Sequence, residues 1–242
     1  LSRWGVIAFV SSLDCPGLIA LSVPKLRQYY RIVAQADKRD CNTCSPLRHQ
    51  QPIKRIKTIG LPQEYFGAGI DKQVTQIVNQ AAGDLAKAGY QLKTVSLPHT
   101  QYGVAAYYII APAEASSNLA RYDGIRYGHS RRFFGPEAKR RIILGTFVSS
   151  AGYAAKYYAK AAKIRTLIIN DFNHAFKQVD ILLAPVSPTP PFKIGAKAND
   201  PLQMYLSDAL TIPVNLAGIP ALSLPCGFTK NKLPIGLQII GP

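Results

Sequence analysis

The sequence predicts an α/β fold, and three observations carry that expectation. Between Ile56 and Leu97 a strand, a helix and a second strand follow one another, the order that builds a layered α/β unit. Asp180–Val186 is a short apolar run bounded by Pro185 and Pro188, and its length and flanks favour a buried strand. Ala221–Pro225 and Ile235–Ile240 form a closing strand pair around a turn at Lys230-Asn231-Lys232.

Each element rests on a local signal. Residues 1–23 open with the apolar WGVIAFVSSL and then meet Asp14, Pro16 and Gly17. Pro24 can sit in the first turn of a helix running through Ala34, where its missing N–H costs nothing. Residues 37–53 are polar, carry Pro46 and Pro52, and read as a surface loop. Ile56–Leu61 reads as a strand. Asp71 is a candidate N-cap, after which Val74, Ile77, Val78, Ala81, Leu85 and Ala88 keep helical spacing until Gly89 stops them. Gln91–Leu97 alternates like a half-buried strand. Residues 101–119 read as helical with Pro112 as a break or kink, and Pro136 starts a long helical region to about Gly152. A helix over roughly 154–177 carries Ile164, Leu167, Ile168, Phe172, Ala175 and Phe176, and 187–201 is a loop rich in Pro and Lys. There is no internal repeat and no low-complexity tract.

Length and composition bound the rest. A chain of 242 residues, 48% hydrophobic, is one large domain or two small ones with a sizeable core. The first residue is Leu1 and the single methionine is Met204, so we expect an internal portion of a longer chain. The net charge of +16 suits a polyanion such as tRNA, and equally a solvated basic surface. No zinc finger or aromatic RNA-binding motif accompanies it. No apolar run reaches spanning length and no secretory leader is visible, so a soluble, cytoplasmic (or organellar or endosymbiont-interior) protein is expected, with no membrane partner. Cys15, Cys41, Cys44 and Cys226 include a lone Cys41-Asn42-Thr43-Cys44. With only His49 nearby it lacks the ligands of a zinc site and reads as part of a loop.

No complete catalytic constellation emerges from the residues. The serine doublets at Ser11–Ser12, Ser116–Ser117 and Ser149–Ser150 lie outside any GxSxG turn. The four histidines are scattered, and His99 and His174 read as structural or solvated. No Walker A, GxGxxG or clustered metal-ligand pattern occurs. What does occur is a set suited to an amino acid's head group. An arginine can grip an α-carboxylate through two parallel hydrogen bonds, and a carboxylate can answer the α-ammonium. Arg141 and Asp208 are the candidates, with Tyr107 as donor or ring wall. On residues alone, Arg141 reads as well as a solvated helix face in its Lys-Arg-Arg run, and Asp208 as a helix-start charge.

The stretch Leu97–Gly128, LPHTQYGVAAYYIIAPAEASSNLARYDGIRYG, sets paired tyrosines, Glu114, Asn118, Arg121, Asp123 and Arg126 into an apolar scaffold. It resembles the amidase signature family, and within it the branch of glutamyl-tRNA(Gln) amidotransferase A subunits. Ser2–Asp14 is similar to that family's SRYGLIAFASSLD. Ile59–Asp71, Ser96–Thr100, Lys139–Phe147, Lys163–Ile168, Asp200–Pro220 and Leu233–Gly241 match in the same order, and only 22–55 aligns loosely.

That resemblance implies a mixed β-sheet core flanked by helices, incomplete here at the N-terminal side, with 1–242 as the C-terminal portion of a single amidase domain. It implies glutamine held by Arg141 at its α-carboxylate and Asp208 at its α-amino group, with Tyr107 lining the pocket. The family's Ser–cis-Ser–Lys triad lies upstream of the Ser2–Asp14 match, so no catalytic residue and no metal is expected within this sequence. The complete protein would hydrolyse glutamine and pass ammonia to Glu-tRNA(Gln), working with a B subunit that uses ATP and Mg and a C subunit that braces the pair. Trp4 in place of a tyrosine, a shortened stretch between Ser130 and Phe134, and Pro24-Lys25 with the CNTC loop in place of a more acidic helix start depart from the pattern. A portion of a stand-alone amidase and a non-catalytic scaffold module are the alternatives. The Arg141–Asp208 pair argues against the first, because a simple amide has no α-amino acid head group.

Overall fold

The computed structural model describes residues 1–43 and 55–242. Positions 44–53 of the expected surface loop, with Cys44 and His49, lie outside the described residues. The chain divides into two compact units: Leu1–Arg55 with Ala111–Thr146, and Ile56–Ile110 with Phe147–Pro242.

The second unit is built on a five-stranded sheet. Its strands are β1 (Thr58–Pro62), β2 (Gln91–Val95), β3 (Ile181–Pro185), β4 (Ala221–Phe228) and β5 (Pro234–Ile240), in the order β2-β1-β3-β5-β4. β1 runs parallel to both β2 and β3, whereas β5 runs antiparallel to β3 and β4, so the sheet is mixed. The parallel pair β1–β2 is joined by α2 (Lys72–Lys87), the crossover that parallel strands require. Asp71 caps this helix: its carboxylate accepts from the N–H groups of Gln73 and Val74. At the other end Gly89 takes φ +98°, a left-handed conformation that suits a residue without Cβ.

Alternation places the core. α2 turns Val74, Val78 and Ala82 onto one face of the sheet, against Ile59, Leu183, Ile235 and Leu237. On the other face Gly60 has no room for a side chain. A Cβ there would lie 2.5 Å from Leu182 Cδ2 and 2.9 Å from Val179 Cγ2. β3 is central and fully buried from Leu182 to Pro185, as its unbroken apolar run leads one to expect. β2 differs from expectation. Only Val95 is buried along it, because it is an edge strand with most of both faces in water. α5 (Tyr158–Phe176) buries Ala161, Ile168, Phe172 and Ala175. It packs on α7 (Ile212–Ala217) and on a 3-10 turn at Pro98–Tyr102. α7 and the neighbouring α6 (Pro201–Leu206) have no counterpart in the sequence reading: six residues are fewer than two turns, too few for a helical period to show.

The first unit contains α1 (Val23–Val33), whose N-cap Ser22 accepts from Lys25 N–H and whose second residue is Pro24. No residue of α1 is buried. α3 (Gly103–Leu119) passes through Pro112 as one helix, and its half from Ala111 belongs to this unit with most of α4 (Pro136–Ser149). α3 and α4 approach so closely at Gly145 that a Cβ there would collide with the carbonyl of Pro112.

Candidate functional site

The segment after Val10 is folded by side chains rather than by a ladder. Asp14 accepts from the N–H groups of Phe9 and Val10 at 2.9 and 3.0 Å, closing a tight turn. Glu114, on α3, accepts from Ser12 N–H and Ser12 Oγ at 2.9 and 2.6 Å. One turn further on, the Asn118 amide donates to Phe9 O and Ser11 Oγ, while its own Oδ1 accepts from Arg121. Glu114, Asn118 and Arg121 are thus committed to holding residues 9–12 against α3. The following loop, Arg121–His129, lines an open cleft of about 510 Å³. It turns through Gly124 at φ +74°, where backbone of His129 and Ser130 leaves no space for a side chain.

Arg141 lies on α4 in the same unit. Its side chain is 16% exposed, and its Nε donates to Glu137 Oε1 at 2.8 Å, one helical turn back. Its guanidinium stands 5.8 Å from the centre of the Phe9 ring. A planar fork with five donors can serve an acidic neighbour and a ligand carboxylate together. Arg140, by contrast, is exposed and paired with the other Glu137 oxygen. Of the two adjacent arginines, only Arg141 is turned inward.

Tyr107 and Asp208 lie in the sheet unit. Tyr107 is half-buried and meets Tyr108 edge-on at 4.9 Å. Tyr108 in turn lies 4.0 Å from Tyr205, three residues before Asp208, so the tyrosine pair and the Asp208 turn are brought together. Asp208 is exposed and ends the turn after α6, its N–H donating to Tyr205 O and its carbonyl accepting from Ile212 N–H. The turn is anchored from below by Gln238. This buried β5 amide donates to both Pro185 O and Leu210 O at 2.9 Å. Arg165 Nε adds a bond to Leu216 O, tying α5 to α7.

A further pair escaped the sequence reading. His99 N–H donates to Asp171 Oδ2 at 2.7 Å, and its Nδ1 lies 2.9 Å from Asp171 Oδ1. The two are 72 positions apart, so only the packing of α5 on the Pro98–Tyr102 turn brings them together. Among the described residues no serine or cysteine hydroxyl or thiol is hydrogen-bonded to that imidazole. No three His, Cys, Asp or Glu of the described residues are grouped to hold a metal ion. Cys226 is half-buried, and burial pushes its thiol up from the usual range. No described helix is long and apolar enough to cross a membrane.

The Amidase family profile matches residues 1–242. The chain belongs to the amidase family. Among its curated relatives, the A subunit of the glutamyl-tRNA(Gln) amidotransferase of Myxococcus xanthus is 48% identical over 262 positions, covering all of this chain and 54% of that protein. The corresponding A subunit of Trichlorobacter lovleyi is 50% identical, with the same coverage. The crystal structure of the A subunit from Thermotoga maritima superposes with a TM-score of 0.78 at 38% identity, covering all of this chain and 52% of that one. The chain therefore spans about half the length of the curated relatives it matches. The fold is the mixed, helix-flanked sheet of the amidase family. The alignments with these relatives run longer than the 242 residues here, so they place gaps in this chain.

Proposed function

We propose that this chain is the glutamine-recognising part of the A subunit of a glutamyl-tRNA(Gln) amidotransferase. The observation that carries the reading is the match over the whole of this chain, at close to half identity, to relatives that bear this name. In it, Arg141 pairs with the α-carboxylate of glutamine, Asp208 with the α-ammonium, and Tyr107 walls the pocket. The inward turn of Arg141 and the firm anchoring of the Asp208 turn by Gln238 support those roles. The Ser–cis-Ser–Lys triad would belong to the portion of the relatives that this chain does not match. There the serine attacks the side-chain amide, forms an acyl-enzyme and releases ammonia, and water then frees glutamate. Backbone N–H groups stabilise the oxyanion. The B subunit, with ATP and Mg, activates Glu-tRNA(Gln) for that ammonia, and the C subunit braces the pair. This chain itself needs no cofactor in the scheme.

Ammonia release by the complete protein, assembled with its partners, tests the proposal. A charge-assisted bidentate contact is worth roughly 1.5–3 kcal/mol, so Arg141→Lys and Asp208→Asn should each raise the KM for glutamine by about tenfold or more. An unchanged KM in both variants would reject the site. Hydrolysis of simple amides as fast as glutamine, indifferent to Arg141, would favour a stand-alone amidase instead.

A further inference from the structure

From Phe147 to Asn170 the chain contains no Asp or Glu, while Lys156, Lys160 and Lys163 are all exposed. These lysines are spaced i, i+4, i+7. Lys160 and Lys163 lie one turn apart on α5, and Lys156 lies in the turns that lead into it, which are closed by Ala154 N–H to Ser150 O, Tyr157 N–H to Tyr153 O and, five residues back, Ala159 N–H to Ala154 O. Beside the stripe stand three rings. Phe147 and Tyr153 are 4.5 Å apart between centroids, and Tyr153 and Tyr157 are 6.0 Å apart and nearly parallel at 20°. Phe147 is 46% exposed and Tyr153 40%, although both are large and aromatic. Lys156 Nζ lies over the Tyr157 ring at 5.5 Å, so cation and ring already share one surface.

We propose that Phe147–Lys163 forms a binding surface for single-stranded RNA. Each component has a reason to be there. A lysine row with no acid in its own stretch of sequence follows a phosphate backbone and releases its counterions. Partly exposed rings offer faces on which unpaired bases stack, whatever their sequence. An acidic peptide would use the lysines without the partly exposed Phe147 and Tyr153 rings, and an anionic membrane, which could use both, is separated from RNA by the vesicle measurement in the test. The surface lies wholly within the sheet unit and does not depend on the glutamine reading.

The test is fluorescence anisotropy of a labelled, mixed-sequence twelve-nucleotide RNA titrated with the whole chain. We expect a plot of log affinity against log salt to fall with a slope of about −2, since three phosphates each contribute about 0.7 for a single strand. Lys160→Glu with Lys163→Glu should weaken binding at least tenfold, and Tyr153→Ala about fivefold with the slope unchanged. Tyr153→Phe keeps the ring and should retain wild-type affinity. Circular dichroism melts of each variant establish that it remains folded, and Lys160→Gln serves as the milder substitution if the double reversal does not. The proposal is overturned if reversing Lys230 and Lys232, in the β4–β5 turn, weakens binding as much as reversing Lys160 and Lys163. It is equally overturned if Tyr153→Ala binds RNA as the parent does. Loss of binding to phosphatidylserine vesicles in the lysine variants, with RNA affinity unaltered, would assign the surface to a membrane instead.

Discussion

Leu183 and Ile32 are similar in size and hydrophobicity, yet the molecule treats them oppositely. Leu183 is wholly inaccessible in the central strand, whereas Ile32 is 61% exposed on a helix that buries nothing. Both elements carry sound local signals: an apolar run closed by Pro185 and Pro188 for β3, a serine cap and early proline for α1. The difference lies in what each element packs against. β3 has β1 and β5 as ladder partners and α2 over one face. α1 has its cap and its own hydrogen bonds. Local propensity and burial are therefore separate sources of stability, and only the second is large, about 1.5–3 kcal/mol for each fully buried aliphatic side chain.

The strongest way to break this comparison is truncation at both sites. Leu183→Ala leaves a cavity in the sheet core and should cost about 2–5 kcal/mol in urea unfolding followed by far-ultraviolet circular dichroism. Ile32→Ala should change stability by no more than about 0.5 kcal/mol. Comparable losses would mean that α1 is covered in solution.

A second contrast sets two helical glycines against each other. At Gly145 a methyl group meets the Pro112 carbonyl, a backbone atom that cannot rotate aside, and Gly145→Ala should destabilise by about 1–3 kcal/mol. Gly83 lies inside α2 with nothing within reach of a Cβ, and Gly83→Ala should stabilise by about 0.5–1 kcal/mol through helix propensity. Thermal melts of the two variants should move in opposite directions. Equal shifts would remove the case for close helix contact at Gly145.

Much of the sheet unit was legible because its signals are local. Asp71, Gly89 and the prolines that end β3 each act within a few residues of themselves. The edge character of β2 was not legible, since alternation along Gln91–Leu97 says nothing about what covers either face. The candidate site was legible only through resemblance. Tyr107, Arg141 and Asp208 come from distant segments, and residue types alone leave Arg141 as one of two adjacent arginines. The inward turn that separates it from Arg140 is a matter of helix phase. His99–Asp171 and Ser12–Glu114 were invisible for a plainer reason: 72 and 102 positions separate the partners, and no short-range pattern records such a distance.

The Ser12–Glu114 link gives the third prediction. Glu114→Gln keeps shape but replaces a charged double acceptor with one carbonyl and an amine that cannot accept, so about 1–2 kcal/mol should be lost. Amide hydrogen exchange should quicken at Ser12, whereas β3 amides keep the parent rate. Protection at Ser12 equal to the parent's would show that this segment is held without Glu114, by contacts such as those of Asn118 and Asp14.

The smallest effect concerns pH and tests the first unit where it is most open. Asp37 Oδ1 accepts from Arg39 Nε and Arg39 N–H, both at 3.0 Å, and Oδ2 accepts from Ser2 Oγ at 2.8 Å. The Arg39 side-chain bond is the main cause holding the carboxyl down, to about 2. An unfolded aspartate titrates at about 3.9. A folded value below the unfolded one means that the folded state favours the charged form. The contribution to stability is therefore complete above about pH 4 and disappears as pH falls towards 2. Carboxyl carbon-13 shifts should place the Asp37 midpoint near 2, and Arg39→Gln should return it towards the unstructured value. A midpoint near 4 in the parent chain would mean that the Ser2–Asp37–Arg39 contacts do not persist in solution. In that event the first unit would depend on α3, through Glu114 and Asn118, for its order around Val10.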